Sequence, residues 1–243
     1  MSATDSTRGL FNLSARLFVL VTLWFVLIGS VGADDESESG EAAKNDAAPA
    51  YVKIETNHGV MIAELNREKA PITVENFLQY ANDDFYNDTI FHRVISHFMI
   101  QGGGFTEDMQ QKPPRAPIVN EWRNGLKNER GTLAMARTSD PDSATSQFYI
   151  NVTDNPQLDR PMSGNAAYAV FGRVIHGMEV VDEIREVPTQ TMRGHPDVPR
   201  TPVVMKRVKE ISAAEAKRIA GDQDEEDEEG EPAQEPAAPG SGS

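Results

Sequence analysis

Between residues 51 and 211 apolar and polar positions alternate in several short runs, and two further stretches take a helical period instead. YVKIET (51–56) and VMIAEL (60–65) alternate around Asn57-His58-Gly59, whose residues favour positive φ, and the pair predicts a β-hairpin. APITVENFLQYAND (70–83) instead spaces Val74, Phe77, Leu78 and Ala81 at i, i+3, i+4 and i+7, with Pro71 near its start. That spacing predicts a helix with one buried stripe. FHRVI and FMIQGG (91–95 and 98–103) predict strand, break, strand, and GTLAMAR (131–137), SQFYINV (146–152) and YAVFGRVI (168–175) predict further strands. His176-Gly177 marks a turn, MEVVDEIREV (178–187) a second helix and TPVVMKRVKEI (201–211) a closing strand. Many short strands with one early and one late helix predict a mainly β fold, a closed antiparallel barrel capped by helices.

Composition narrows the chemistry. The 243 residues suffice for one sizeable core, and the absence of cysteine excludes disulfides, thiolate nucleophiles and cysteine metal sites. The five histidines are scattered, and His92 and His97 would face opposite sides of a strand, so no metal site is expected. The net charge of -15 sits mostly at the ends: residues 1–33 carry +1, 34–48 carry -5 and 221–243 carry -9, leaving -2 for 49–220. A near-neutral middle has no basic face for nucleic acid.

The ends divide the chain. Residues 1–33 combine Arg8 and Arg16 with an apolar run of about 15 residues and the small residues Val31-Gly32-Ala33, the pattern of a cleavable signal peptide; an uncleaved anchor is the alternative. Residues 34–50 form an acidic, low-complexity linker, 51–212 one folded domain, and 213–243 a helical extension followed by a disordered acidic tail.

Most familiar site patterns are missing. Gly102-Gly103-Gly104 is not followed by Lys-Ser/Thr, no G-x-G-x-x-G opens a helix, and no G-x-S-x-G is present. What stands out is FHRVISHFMIQGGGF (91–105), where Arg93 and Gln101 interrupt an apolar run. With a period of two, Met99 and Gln101 share a face, and Arg93 joins them if the strand register survives the break at Ser96. A guanidinium with rigid donors, an amide and a thioether beside apolar side chains suit an uncharged amide ligand. The competing reading pairs Arg93 with an acid such as Glu121 as scaffolding.

FHRVI-x-x-FMIQGGGF resembles the signature of cyclophilin-type peptidyl-prolyl isomerases, and GTLAMAR, SATSQFYI and AVFGRVIHGMEVVD follow in the expected order. The likeness spans about residues 51–212 and looks closest to the exported bacterial branch, in ARTSDPDSATSQF, NVTDN and Tyr168 before AVFG. The resemblance implies an eight-stranded antiparallel barrel capped by two helices, and an enzyme that accelerates X–Pro rotation during the folding of exported proteins. It implies Arg93 as the catalytic arginine and Gln101 as the amide that positions the substrate carbonyl. Phe98, Met99 and Leu158 would form the proline pocket. The Ala136 and Arg137 backbone would bind the preceding residue, with Gln147, Phe148, Tyr149 and Tyr168 beside the pocket.

Tyr149, Gln157 and Tyr168 stand where the best-known eukaryotic members have phenylalanine, tryptophan and histidine, which bears on cyclosporin binding rather than on catalysis. No cofactor is implied. The implied partners are unfolded or proline-containing polypeptides, with no nucleic acid and with membrane contact only through an uncleaved N-terminal segment. The implied protein is a monomer of the periplasm or cell envelope. The alternative function is a proline-peptide-binding holdase with incidental turnover.

Overall fold

In a computed structural model, which describes residues 48–229, the chain forms ten strands. The signal-like segment 1–33, the linker up to residue 47 and the tail from residue 230 lie outside the described residues. β1 (Ala50–Thr56) and β2 (Val60–Leu65) form the expected hairpin. Along β1 every second residue is buried: Ala50, Val52, Ile54 and Thr56 point inward while Tyr51, Lys53 and Glu55 are partly exposed. β3 (Thr89–Ile95), β4 (Met99–Thr106), β5 (Thr132–Met135), β6 (Phe148–Asn151), β7 (Val170–His176) and β10 (Val204–Ile211) complete a closed antiparallel barrel in the order β1-β10-β3-β4-β6-β5-β7-β2. Closure leaves this barrel without an unpaired edge.

α1 (Pro71–Asn82) turns the stripe expected from its spacing into the core: Val74, Phe77, Leu78 and Ala81 are all buried. Phe77 joins Tyr86, Phe148 and Phe171, with ring centroids 5.0–5.3 Å from its own. Separations of that size suit tilted and edge-on aromatic contact. α1 has no side-chain cap from its own sequence. Glu121, from a distant loop, accepts hydrogen bonds from the backbone N–H groups of Ile72 (3.1 Å) and Thr73 (2.8 Å) and from the Thr73 hydroxyl (2.6 Å). A carboxylate there satisfies free amides and the positive end of the helix dipole together.

α2 (Met178–Arg185) buries Val180, Val181 and Ile184. It starts at Gly177, whose φ of 85° favours glycine; a Cβ there would sit 2.3 Å from the Val60 carbonyl oxygen. Beyond the two helices that the resemblance implies lies a third, α3 (Ala213–Glu229), which follows β10 directly, rests against β1, β2 and β7 and buries Ala216. Its backbone continues nine residues into the acidic segment 221–243, expected to be a tail. β8 (Thr189–Met192) and β9 (His195–Pro199) form a two-stranded hairpin that the sequence pattern does not announce.

Among the described residues no helix is long and apolar enough to cross a membrane. Among the same residues no three His, Asp or Glu side chains cluster as metal ligands.

Candidate active site

The site is a consequence of strand register. Arg93 stands opposite Gln101 across β3 and β4, Gln101 opposite Tyr149 across β4 and β6, and Tyr149 opposite Ala134 across β6 and β5. Cross-strand partners put their side chains on one face, about 4.5–5.5 Å apart. The register therefore survives the break at Ser96. The break is a tight turn closed by the Phe98 N–H donating to the Ile95 carbonyl at 2.9 Å. One residue along each strand, Val94, Ile100, Ile150 and Leu133 form the matching inner row and belong to the main core. The outer row is separate: Met99, Ala134, Tyr149, Leu158 and Val170 make a second apolar cluster, flanked by Phe98, Ala136 and Tyr168.

A cavity of about 120 Å³ opens onto this outer row. Phe98, Met99, Tyr149 and Leu158 give it apolar walls, Arg93 and Gln101 supply donors, and Ala136, Arg137 and Tyr168 close the rim. Nine of the residues singled out from the sequence thus meet in one place. Gln147 stands outside the lining, but its side-chain oxygen accepts from Gln101 Nε2 at 3.0 Å and so orients that amide. Gly104 makes room for Gln147: a Cβ at that position would meet its side chain at 2.6 Å. Phe148 is corrected. It alternates with Tyr149 along β6, so it faces the barrel interior, fully buried and 5.7 Å from the Tyr86 ring. It supports the site from behind and is not on the pocket wall.

Arg93 is half-buried, and none of the ion pairs among the described residues includes it. Glu121, the acid offered as an example for a scaffolding role, is committed to the N-terminus of α1. The guanidinium borders the cavity with donors to offer. Arg137 is used differently. It donates to its neighbour's carbonyl at Thr138 (2.8 Å), to Ala166 (2.5 Å) and to Ala167 (3.3 Å), and its guanidinium stacks over Tyr168 at 4.6 Å. These contacts fix the strap that carries Tyr168 against the Ala136 segment.

Sequence reasoning missed the polar layer under the pocket. The Tyr149 hydroxyl donates to Asn128 Oδ1 at 2.8 Å, and Asn151 Nδ2 donates to the same oxygen at 3.2 Å. Asn155 Nδ2 donates to Asn151 Oδ1 and to the Phe98 carbonyl, both at 2.8 Å. Asn128 in turn donates from its backbone and side chain to Asp159 Oδ1, at 2.9 Å each. Three buried asparagines thereby tie Phe98, Tyr149 and the turn bearing Leu158 together. Burial holds the Tyr149 hydroxyl well above the usual phenol range, so it stays a neutral donor. Gln157 is exposed and donates to Asn155 Oδ1 at 3.1 Å, away from the cavity lining.

This barrel and this pocket define a class. The profile of the family described as cyclophilin type peptidyl-prolyl cis-trans isomerase/CLD matches residues 51–210. The chain belongs to that family and is a peptidyl-prolyl cis-trans isomerase. A peptidyl-prolyl cis-trans isomerase of Acinetobacter baylyi is 55% identical over 169 residues, 69% of this chain and 89% of its own. The Escherichia coli peptidyl-prolyl cis-trans isomerase B is 53% identical over 161 residues, 65% of this chain and 97% of its own. A cyclophilin-type isomerase from Cryptosporidium parvum, solved in the presence of the dipeptide Ala-Pro, superposes with a TM-score of 0.56 at 29% identity, over 67% of this chain and 99% of that one.

Proposed function

We propose that the outer-row cavity isomerises X–Pro bonds in exported polypeptides as they fold, with Arg93 as the catalytic group. Rotation about a peptide bond faces a barrier of roughly 18–20 kcal/mol from amide resonance, and X–Pro bonds take tens to hundreds of seconds unaided. No bond breaks, so the task is to bind the twisted amide better than the planar one. Twisting ends the resonance and leaves a lone pair on the proline nitrogen, to which Arg93 donates. Phe98, Met99, Tyr149 and Leu158 hold the ring, while Gln101, oriented by Gln147, tracks the carbonyl that swings. The Ala136 and Arg137 backbone takes the preceding residue, and Tyr168 closes the rim. The observation that carries this reading is the register that sets Arg93 opposite Gln101 on the cavity face, with no acid pairing it among the described residues.

Arg93→Ala is expected to lower kcat/KM by about two to three orders of magnitude, on the order of 3–4 kcal/mol of transition-state stabilisation, in a protease-coupled assay on a short proline peptide. A folded Arg93→Ala protein with full turnover would remove the assigned role. A folded variant that binds peptide and turns none over would separate the enzyme from a holdase.

Export rests on the N-terminal pattern, and the working form is a monomer in the periplasm or cell envelope, touching membrane only if the N-terminal segment is retained. Mass spectrometry of envelope protein is expected to find a mature N-terminus near Asp34. An intact Met1 form in membranes would establish an anchor instead.

A further inference from the structure

We propose that a second cavity, sharing the Tyr168 wall with the first, is a subsite for an acidic side chain that flanks the substrate proline. This rests on the isomerase reading of the first cavity and adds a substrate preference to it. The second cavity, of about 340 Å³, is formed by the Trp122–Lys127 loop, Asp159 and Tyr168. Tyr168 is the one residue lining both cavities, so a peptide held in the first runs past it into the second on one side. Neighbouring cavities that share one wall lie on the order of 10 Å apart, which an extended chain covers in about three residues.

The lining favours a carboxylate on an apolar stem. Trp122 and Leu126 are half-buried and provide apolar surface. Arg123 and Lys127 are exposed cations, and neither takes part in an ion pair among the described residues. The Arg123 guanidinium stacks over the Trp122 ring at 4.7 Å, which holds the charge at the cavity wall instead of letting it range through solvent. Asp159 is the one acid in the lining, and its Oδ1 is occupied by the two Asn128 donors at 2.9 Å. Two unpaired cations over an aromatic floor match a glutamate side chain, with the methylenes against Trp122 and the carboxylate between Arg123 and Lys127.

The test is a set of proline peptides carrying Glu or Gln at the second, third or fourth position before or after the proline. For each position the readout is the ratio of kcat/KM for the Glu peptide to that for the Gln peptide. The wild type is expected to favour Glu by roughly three- to tenfold on one side of the proline only, less so as salt rises. The same ratio should fall below one in the Arg123→Glu, Lys127→Glu double variant. Because each ratio is taken within one protein, a general loss of fold or turnover cancels. Ratios near one throughout, equal preference on both sides, or a preference that survives charge reversal would each overturn the subsite while leaving the isomerase intact. A wild-type protein inactive on every peptide would overturn the isomerase reading and the subsite with it.

Discussion

Strands β3, β4, β6 and β5 carry two rows of side chains offset by a single residue. The inner row, Val94, Ile100, Ile150 and Leu133, is apolar throughout and sits in the main core. The outer row, Arg93, Gln101, Tyr149 and Ala134, combines a cation, an amide and a phenol with apolar neighbours. The inner row is buried throughout, whereas in the outer row Tyr149 and Ala134 are buried and Arg93 and Gln101 only half-buried, and the two rows obey different rules. An inner position has to fill volume, and its loss is felt as stability. An outer position has to present a group, and its loss is felt as rate. A slip of one residue would exchange the rows, so the β3 bulges matter through the register that they permit.

The widest test of that division is Phe148→Ala. Phe148 packs among Phe77, Tyr86 and Phe91, with centroids 5.2–6.2 Å away. Truncation should cost about 3–5 kcal/mol of unfolding free energy in urea titration. Turnover should fall only in step with the folded fraction. The opposite signature, normal stability with a lost KM, would return Phe148 to the pocket wall and dissolve the two-row picture. Arg93→Ala is its counterpart, with a lost rate at an unchanged urea midpoint.

His92 lies beside Arg93 in sequence but on neither row. It is buried and packs on Phe105 with centroids 4.6 Å apart. Burial first, then the nearby His195 and Arg93, lower its pKa from 6.5 to about 4, against a hydrogen-bond contribution from Ile90 that raises it. The folded protein therefore keeps His92 neutral where the unfolded chain binds a proton. Its contribution to stability is complete above about pH 6.5, drains away as pH falls, and is gone near pH 4. The full span corresponds to about 3 kcal/mol at most. The stability curve of His92→Gln should be flatter than wild type by an amount of that order between those limits, whatever its offset at neutral pH. Parallel curves would show that His92 does not titrate differently in the two states.

How much of this was legible depended on where each residue lay along the chain. Met99 and Gln101 lie on one strand, so alternation alone was enough to place them on one face. Arg93 joined them only on condition that the register survived the break at Ser96, and Phe98, next to Met99, was pointed to by the family likeness. Leu158 and Tyr168 reach the cavity from a loop that has no period, and only the family likeness pointed to them. Phe148 and Tyr149 are adjacent, and a likeness that brings in a run of residues does not say which face each one takes; alternation does. Asn128, Asn151 and Asn155 were invisible because asparagine in loop-like sequence is ordinarily a turn former, and nothing local marks one as buried. The β8–β9 hairpin was missed because Arg193-Gly194 and two prolines break the alternation that announces a strand.

The smallest expected effect sharpens the comparison from outside the barrel. α3 is held by its first turns, where Ala216 is buried and Ile219 and Ala220 are half-buried, while Gly221 is exposed. Residues 221–243 carry nine acids and no base, with no apolar side chain larger than proline, so they hold little surface whose burial would offset the entropy of ordering. The bond being rotated is neutral, and at physiological salt charges separated by more than about 8–10 Å are largely screened. A protein ending at Gly221 should therefore keep its kcat/KM on a short neutral proline peptide within about twofold. Strongly basic unfolded clients are a different case, because nine acids can raise their local concentration at low salt. The truncated protein should lose that advantage, and wild type should lose it too as salt is added. A large loss on the neutral peptide would mean that the acidic segment docks onto the outer face, and the site would then have a third component beyond its two rows.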